Sequence, residues 1–176
     1  MHRIGVISDT HISGQAQALV ANLRNHFAGV ELILHAGDLS TLRVIAELEE
    51  IAPVEAVQGN IEHEEVIRAL PIKRRVRIRN SLIGLVHILG EHGRMWDPHN
   101  KAWGTQIAEE ARREFPDAQC VVFGHTHHPY NEWIGGQLLF NPGSATGRWP
   151  ATAATIGLLE IGDDGTISGH IIPISQ

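Results

Sequence analysis

Residues 3–11 read RIGVISDTH, an apolar, strand-like run that breaks into Asp9-Thr10-His11. The same order recurs three times downstream. Glu31–His35 runs into Gly37-Asp38, Val54–Val57 into Gly59-Asn60, and Cys120–Phe123 into Gly124-His125-Thr126-His127. Short apolar runs bounded by turn residues predict buried strands. A helix is predicted over Gln15–Phe27, where Ala16, Leu19, Val20, Leu23 and Phe27 share a face and Gly29 follows. Ser40 or Thr41 is placed to cap a second helix, with Leu42, Ile45, Ala46 and Leu48 on its packed side. Strand–helix–strand–helix–strand order predicts a largely parallel sheet covered by helices.

The rest of the chain supplies a second set of elements. Ile61–Leu70 reads as a short helix stopped by Pro71, and Arg75–Arg79 with Leu82–Ile88 as a hairpin around Asn80-Ser81. Lys101–Phe115 is amphipathic, with Trp103, Ile107, Ala108, Ala111 and Phe115 on one side. Leu138–Phe140 follows a Gly135-Gly136 turn, and Ala153–Ile161 pairs with Thr166–Ile174 around Asp163-Asp164-Gly165. Two sheets with outer helices fit this count better than one very wide sheet.

The length of 176 residues and hydrophobic content of 43% suit one substantial core, hence one domain over residues 1–176. Cys120 is the only cysteine, so no internal disulfide framework forms, and its apolar setting predicts a buried thiol in a reducing compartment. No long apolar stretch predicts a membrane span, and the expected location is the cytoplasm. The formal net charge of −6 argues against a nucleic-acid partner. The basic cluster Lys73, Arg74, Arg75, Arg77 and Arg79 alternates with Val76 and Ile78. It reads as a strand with one solvated face, an anionic partner being the other reading.

Taken singly, each polar pair has a plain structural reading. Asp9 could cap a helix, and Asp38 or Asn60 could serve a turn. Their common place at strand ends changes the weight, because the ends of parallel strands converge at one edge. Carboxylates, imidazoles and a neutral amide oxygen gathered there suit divalent cations. With only Asp9 and Asp38 as anions, two such ions keep a charge of about +2, which attracts phosphate and acidifies water. No Gly-x-x-x-x-Gly-Lys phosphate loop is present.

The series Asp9-Thr10-His11, Gly37-Asp38, Gly59-Asn60, a central His and Gly124-His125-Thr126-His127 resembles the calcineurin-like metallophosphoesterases, especially their small bacterial and archaeal phosphodiesterase branch. Asn141-Pro142-Gly143-Ser144 also matches a turn of that branch. The resemblance implies an α/β fold, a four-layer α/β/β/α sandwich with two mixed sheets. It implies a first metal on Asp9, His11 and His127, and a second on Asn60, His125 and the central His. Asp38 would bridge them, with Asp38, Asn60 and His125 at the reacting centre. The central His is His87 or His92; the hairpin register favours His87. Two divalent ions are implied, manganese foremost, with nickel, iron or zinc open.

The implied reaction is hydrolysis of a small phosphate ester, a phosphodiester foremost, by in-line attack of hydroxide bridging the metals. A phosphomonoesterase of the same fold and a non-catalytic metal-binding scaffold are the alternatives. Larger relatives carry His directly after the Gly-Asn; here Ile61 stands there, and His63 is the replacement to consider as proton donor. Trp96, Trp103, Trp133 and Trp149 are candidate pocket walls, and Arg94, Asn131 and Arg148 candidate anion contacts. A homodimer through the Trp-bearing surface or a sheet edge stays open.

Overall fold

The computed structural model describes residues 1–88 and 102–175, the side chains of 102 and 103 apart. His92, Arg94, Trp96 and the Trp103 side chain therefore lie outside the described residues. In chain order the elements are β1 (His2–Ile7), α1 (Gln17–His26), β2 (Leu32–His35), α2 (Arg43–Leu48), β3 (Val54–Ala56), α3 (Glu64–Ala69), β4 (Lys73–Ile78) and β5 (Ser81–Val86). They continue as α4 (Ala102–Glu114), β6 (Cys120–Val122), β7 (Tyr130–Ile134), β8 (Gln137–Asn141), β9 (Thr155–Ile161) and β10 (Ile167–Pro173).

The strands form two five-stranded sheets, ordered β10-β9-β1-β2-β3 and β4-β5-β6-β8-β7. Both are mixed. In the first, β1, β2 and β3 run parallel, with Ile7 opposite His35 and His35 opposite Ala56. In the second, β5, β6 and β8 run parallel, with Leu85 opposite Val122 and Val122 opposite Phe140. The architecture is the expected α/β/β/α sandwich.

Side-chain alternation builds the layers. Ile4, Val6, Leu34, Ile83, Leu85, Cys120, Val122, Leu138 and Phe140 meet between the sheets. Their strand neighbours point outward. Ile7 and Ile33 pack with Val20, Leu23 and Phe27 of the α1 region. Leu82, Val86, Val121 and Leu139 pack with Ile107, Ala108, Ala111 and Phe115 of the α4 region. Each outer face has a bare glycine beneath an aromatic ring. A Cβ on Gly5 would lie 3.0 Å from Phe27 Cε1, and one on Gly84 would lie 2.6 Å from Phe115 Cδ2.

The cap expected for α2 is different. Leu42 holds the N-cap position, without a side-chain bond. Ser40 N–H instead donates to Glu62 Oε2 at 2.6 Å, and Leu42 N–H to Glu65 Oε1 at 3.2 Å. A carboxylate from the α3 side has taken the role that Ser40 or Thr41 would fill locally. On β4, Lys73 pairs with Glu114, Arg74 with Glu55 and Arg75 with Asp117. Three of the five basic residues are thereby paired with the protein's own acids, in line with the solvated-face reading. Among the described residues no helix is long and apolar enough to cross a membrane.

Candidate metal centre

The two sheets deliver polar side chains to one place. Asp9 follows β1, Asp38 follows β2, and Asn60 follows β3; His87 follows β5, and His125 and His127 follow β6. Asp9, Asp38 and His87 are buried there, at 0%, 2% and 1% exposure. One atom each of Asp9, His11, Asp38 and His127 lies within 4.8 Å of every other, a cluster able to hold a divalent cation. Beside it, Asn60 Oδ1 lies 3.1 Å from His87 Nε2 and 2.9 Å from His125 Nδ1. Asp38 Oδ2 joins the groups: it stands 3.4 Å from His11 Nε2 and 3.4 Å from His87 Nε2. The seven residues read from the sequence as candidate ligands, His87 among them, lie close together here; His92, the other candidate for the central position, lies outside the described residues.

The converging donor atoms are only partly satisfied by one another: His127 Nε2 lies 3.2 Å from Asp9 Oδ1. Asp9 Oδ1 and His11 Nδ1 are buried without a hydrogen-bond partner. His11 Nε2 faces His127 Nε2 at 3.2 Å. Buried acceptors aimed at one another are costly unless a cation or proton lies between them. Such a convergence of oxygen and imidazole donors suits a divalent cation.

Backbone carbonyls fix two of the rings. His87 Nδ1–H donates to Ala36 O at 2.7 Å, and His127 Nδ1–H to Arg148 O at 2.9 Å, leaving each Nε2 turned to the centre. Ser8 Oγ–H and His125 N–H donate to Asp9 Oδ2, and Ile61 N–H donates to Asp38 Oδ1.

The charges sort accordingly. Burial pushes the carboxyls of Asp9 and Asp38 upward, but His87, together with His127 at Asp9 and His11 at Asp38, outweighs it, so both sit below the usual carboxylate range. Burial also opposes the proton of His87, yet Asp38 and Asp9 raise it to about 9. His127 moves up as well, through its contact with Asp9. His125, half-buried and close to His87, falls to about 4, and burial lowers His11. The His87 imidazole thus retains its proton beside the two carboxylates at neutral pH.

Glycine spacing reflects crowding. A Cβ on Gly37 would lie 2.6 Å from His87 Cβ, and one on Gly59 would strike Asp38 Oδ1. On Gly124 it would strike Ser8 Oγ and lie 2.6 Å from Ala36 O and 2.7 Å from His87 Nδ1.

Several supporting residues were not singled out in the sequence. Glu62 accepts from the N–H groups of Leu39, Ser40 and Gly59, tying the Asp38 loop to the Asn60 loop. His35 accepts Gly37 N–H at Nδ1, so its Nε2–H donates to Thr10 Oγ1 at 3.2 Å. Burial holds His35 neutral, at about 3. A His closing the apolar run LILH was the available signal. In the Asn141–Ser144 turn, Asn141 Nδ2–H donates to Gly124 O and Ser144 Oγ–H to Asp9 O, so the turn clamps both His-bearing loops.

A cleft of about 170 Å³ opens beside the cluster, lined by His11, Ser13, Ser40, Ile61, Glu62, His63 and Arg148. His63 is exposed at the start of α3. Trp133 is exposed on β7, an edge strand, and Trp149 follows Arg148. Asn131 Nδ2–H donates to Gly169 O, so Asn131 joins the sheets and has no place at this cleft.

Residues 2–164 match the sequence profile of the calcineurin-like phosphoesterase superfamily domain. A protein of Methanothermobacter thermautotrophicus named probable metallophosphoesterase is 38% identical over 144 residues, 81% of this chain and 77% of that one. Vacuolar Protein Sorting 29 from Cryptosporidium parvum shares the fold at a TM-score of 0.72 and 23% identity, covering 99% of this chain and 98% of that one. The structure of an archaeal phosphodiesterase does so at 0.70 and 23%, covering 97% and 99%. At these identities the two structures speak to fold alone.

Proposed function

The chain belongs to the calcineurin-like phosphoesterase superfamily, and from that premise we propose that it is a phosphodiesterase of the small bacterial and archaeal kind, working with two divalent cations. One observation carries the reading: Asp38 Oδ2 stands equally far, 3.4 Å, from a histidine of each donor group. A carboxylate oxygen so placed suits a bridging ligand. Asp9, His11 and His127 would hold one cation with Asp38, and Asn60, His87 and His125 the other. Oxygen and imidazole donors without thiolate favour manganese, with nickel, iron and zinc as competitors. When bound, such a pair supplies Lewis acidity, a water of lowered pKa and an offset for phosphate charge.

The chain's own residues do the rest. Asn60 contributes an oxygen without cancelling charge. Ala36 O and Arg148 O keep His87 and His127 in the tautomer that faces the centre. Ile61, directly after Asn60, has no proton to give a departing alkoxide, so esters of acidic alcohols should react fastest. The buried, unpaired thiol of Cys120 supports a reducing, cytoplasmic setting.

The test is turnover of bis(p-nitrophenyl) phosphate by the manganese-loaded protein, with p-nitrophenyl phosphate as the monoester comparison. Diester cleavage that a chelator abolishes and that Asp38→Asn reduces by at least ~10²-fold is expected. Tight manganese binding without turnover of either ester would replace this reading with a non-catalytic scaffold. Faster cleavage of the monoester would make it a phosphomonoesterase.

A further inference from the structure

Arg148 is held in an unusual way for an exposed arginine. Its N–H donates to Ser144 Oγ at 3.1 Å, and that hydroxyl donates to Asp9 O at 2.8 Å. Its carbonyl accepts His127 Nδ1–H at 2.9 Å. The backbone at residue 148 is therefore fixed to two of the clustered residues, one on each side. The side chain has no such anchor. Among the described residues its guanidinium makes no hydrogen bond or ion pair, whereas Arg24, Arg43, Arg74 and Arg75 each hold a carboxylate. It lines the cleft beside His11 and is near enough to that ring to disfavour its protonation.

Among the described residues, then, this cation has no partner in the fold. It is suited to an incoming anion, which a guanidinium grips through paired N–H donors. Ile61, 54% exposed, is the apolar residue lining this otherwise polar cleft, and Trp149, 74% exposed, directly follows Arg148 in the chain. Exposed apolar side chains on and next to the residues of a charged cleft suit a flat, weakly polar substituent better than a sugar or glycerol hydroxyl array.

We propose that Arg148 contacts the substrate, binding a non-bridging phosphate oxygen from the His11 side, while Trp149 and Ile61 receive a flat aromatic or heterocyclic arm of the ester. The substrate class is thus a phosphodiester with one planar, apolar arm. The inference rests on the hydrolase reading of the site, and its test separates the two.

The experiment uses the full chain loaded with manganese, the variants Arg148→Gln, Arg148→Lys and Trp149→Ala, and two probes. Inorganic phosphate binding is measured by calorimetry, and KM is measured for bis(p-nitrophenyl) phosphate. Arg148→Gln should weaken phosphate binding and raise KM by about tenfold each, a loss of ~1.4 kcal/mol. Manganese stoichiometry and melting temperature should not change, and Arg148→Lys should recover part of the loss. Trp149→Ala should raise KM for the aryl diester about threefold or more and leave phosphate affinity unchanged, since stacking and anion binding are separate contacts. Phosphate affinity and KM within about twofold of the parent in Arg148→Gln would overturn the role of Arg148. An unchanged KM in Trp149→Ala would overturn the apolar arm. Failure of the parent protein to cleave any ester would sink the hydrolase reading, and the phosphate titration would still decide the role of Arg148.

Discussion

Gly124→Ala should disable the metal centre through a single methyl group. The glycine is not at a positive φ, so alanine meets no backbone penalty there. The effect is steric and its targets are known. The new Cβ would lie 2.6 Å from Ala36 O and 2.7 Å from His87 Nδ1, the two ends of the hydrogen bond that orients His87. It would also strike Ser8 Oγ, which donates to Asp9 Oδ2. Ordinary contact begins near 3.4 Å, so Ala36 O and His87 Nδ1 must retreat by ~0.7–0.8 Å, and Ser8 Oγ by more. Overpacking of this size costs ~1–3 kcal/mol, or a fall in melting temperature of ~3–10 °C for a chain of this length. Losing the carbonyl that orients a ligating histidine lowers metal affinity by ~10–100-fold. The assay is calorimetric titration of metal-free protein with manganese, alongside thermal unfolding. Gly104→Ala is the control, because a Cβ there meets nothing within 4 Å among the described residues. A folded Gly124→Ala protein with parental manganese affinity would refute the claim that the His87–Ala36 contact sets the centre.

Two further outcomes follow from charge and packing. Because His87 is raised to about 9 in the metal-free fold, its proton stabilises that fold fully below the ordinary value of 6.5, and this contribution is lost as pH rises through about 9. Manganese binding at pH 7 must displace that proton, so titrations in buffers of different ionisation enthalpy should read about one proton released by His87, and His87→Gln should release about one fewer. Gly169→Ala, on edge strand β10, would place a Cβ 2.7 Å from Phe140 Cδ2 between the sheets. It should cost ~1–3 kcal/mol in denaturant unfolding and leave manganese affinity at the parental value, so a change in affinity would tie the core to the centre more closely than argued above.

What was legible in the sequence was local. Asp9 and His11 follow their strand by two and four residues, and each Gly-ligand pair closes its own apolar run, so strand order alone brings them to one edge. Long-range substitutions for local chemistry were not legible. Ser40 has the composition of a helix cap, but at φ 78° it lies in a left-handed turn, with its N–H on Glu62, so the capping acid comes from 22 residues away. Helix α1 starts at Gln17, two residues later than its apolar face suggests. Ala16 N–H is taken by Glu47 Oε2 at 2.6 Å, an acid 31 residues on. The reason for Gly124 was equally hidden: turn freedom is a local property, whereas contact with Ala36 and His87 exists only once both sheets are stacked.

The backbone makes the same point energetically. Asp9, His11, Asp38, His125 and His127 all have positive φ, between 49° and 72°, where side chains other than glycine cost ~1–3 kcal/mol apiece. Asp and His tolerate this region better than most residues, but five together are not explained by turn preference. Extended chain would carry residues two apart some 7 Å from each other. Left-handed residues at 9 and 11, and again at 125 and 127, curl the chain, bringing both paired side chains into the same buried cluster. The surrounding bonds hold that curl: Asp9 N–H to Gly37 O at 3.0 Å, His11 N–H to Asp38 O at 2.9 Å and Ser144 Oγ–H to Asp9 O at 2.8 Å. A fold selected only for stability would relax these residues or replace them by glycine. The positive φ values and the convergence of oxygen and imidazole donors are two separate observations, and both suit a bound cation.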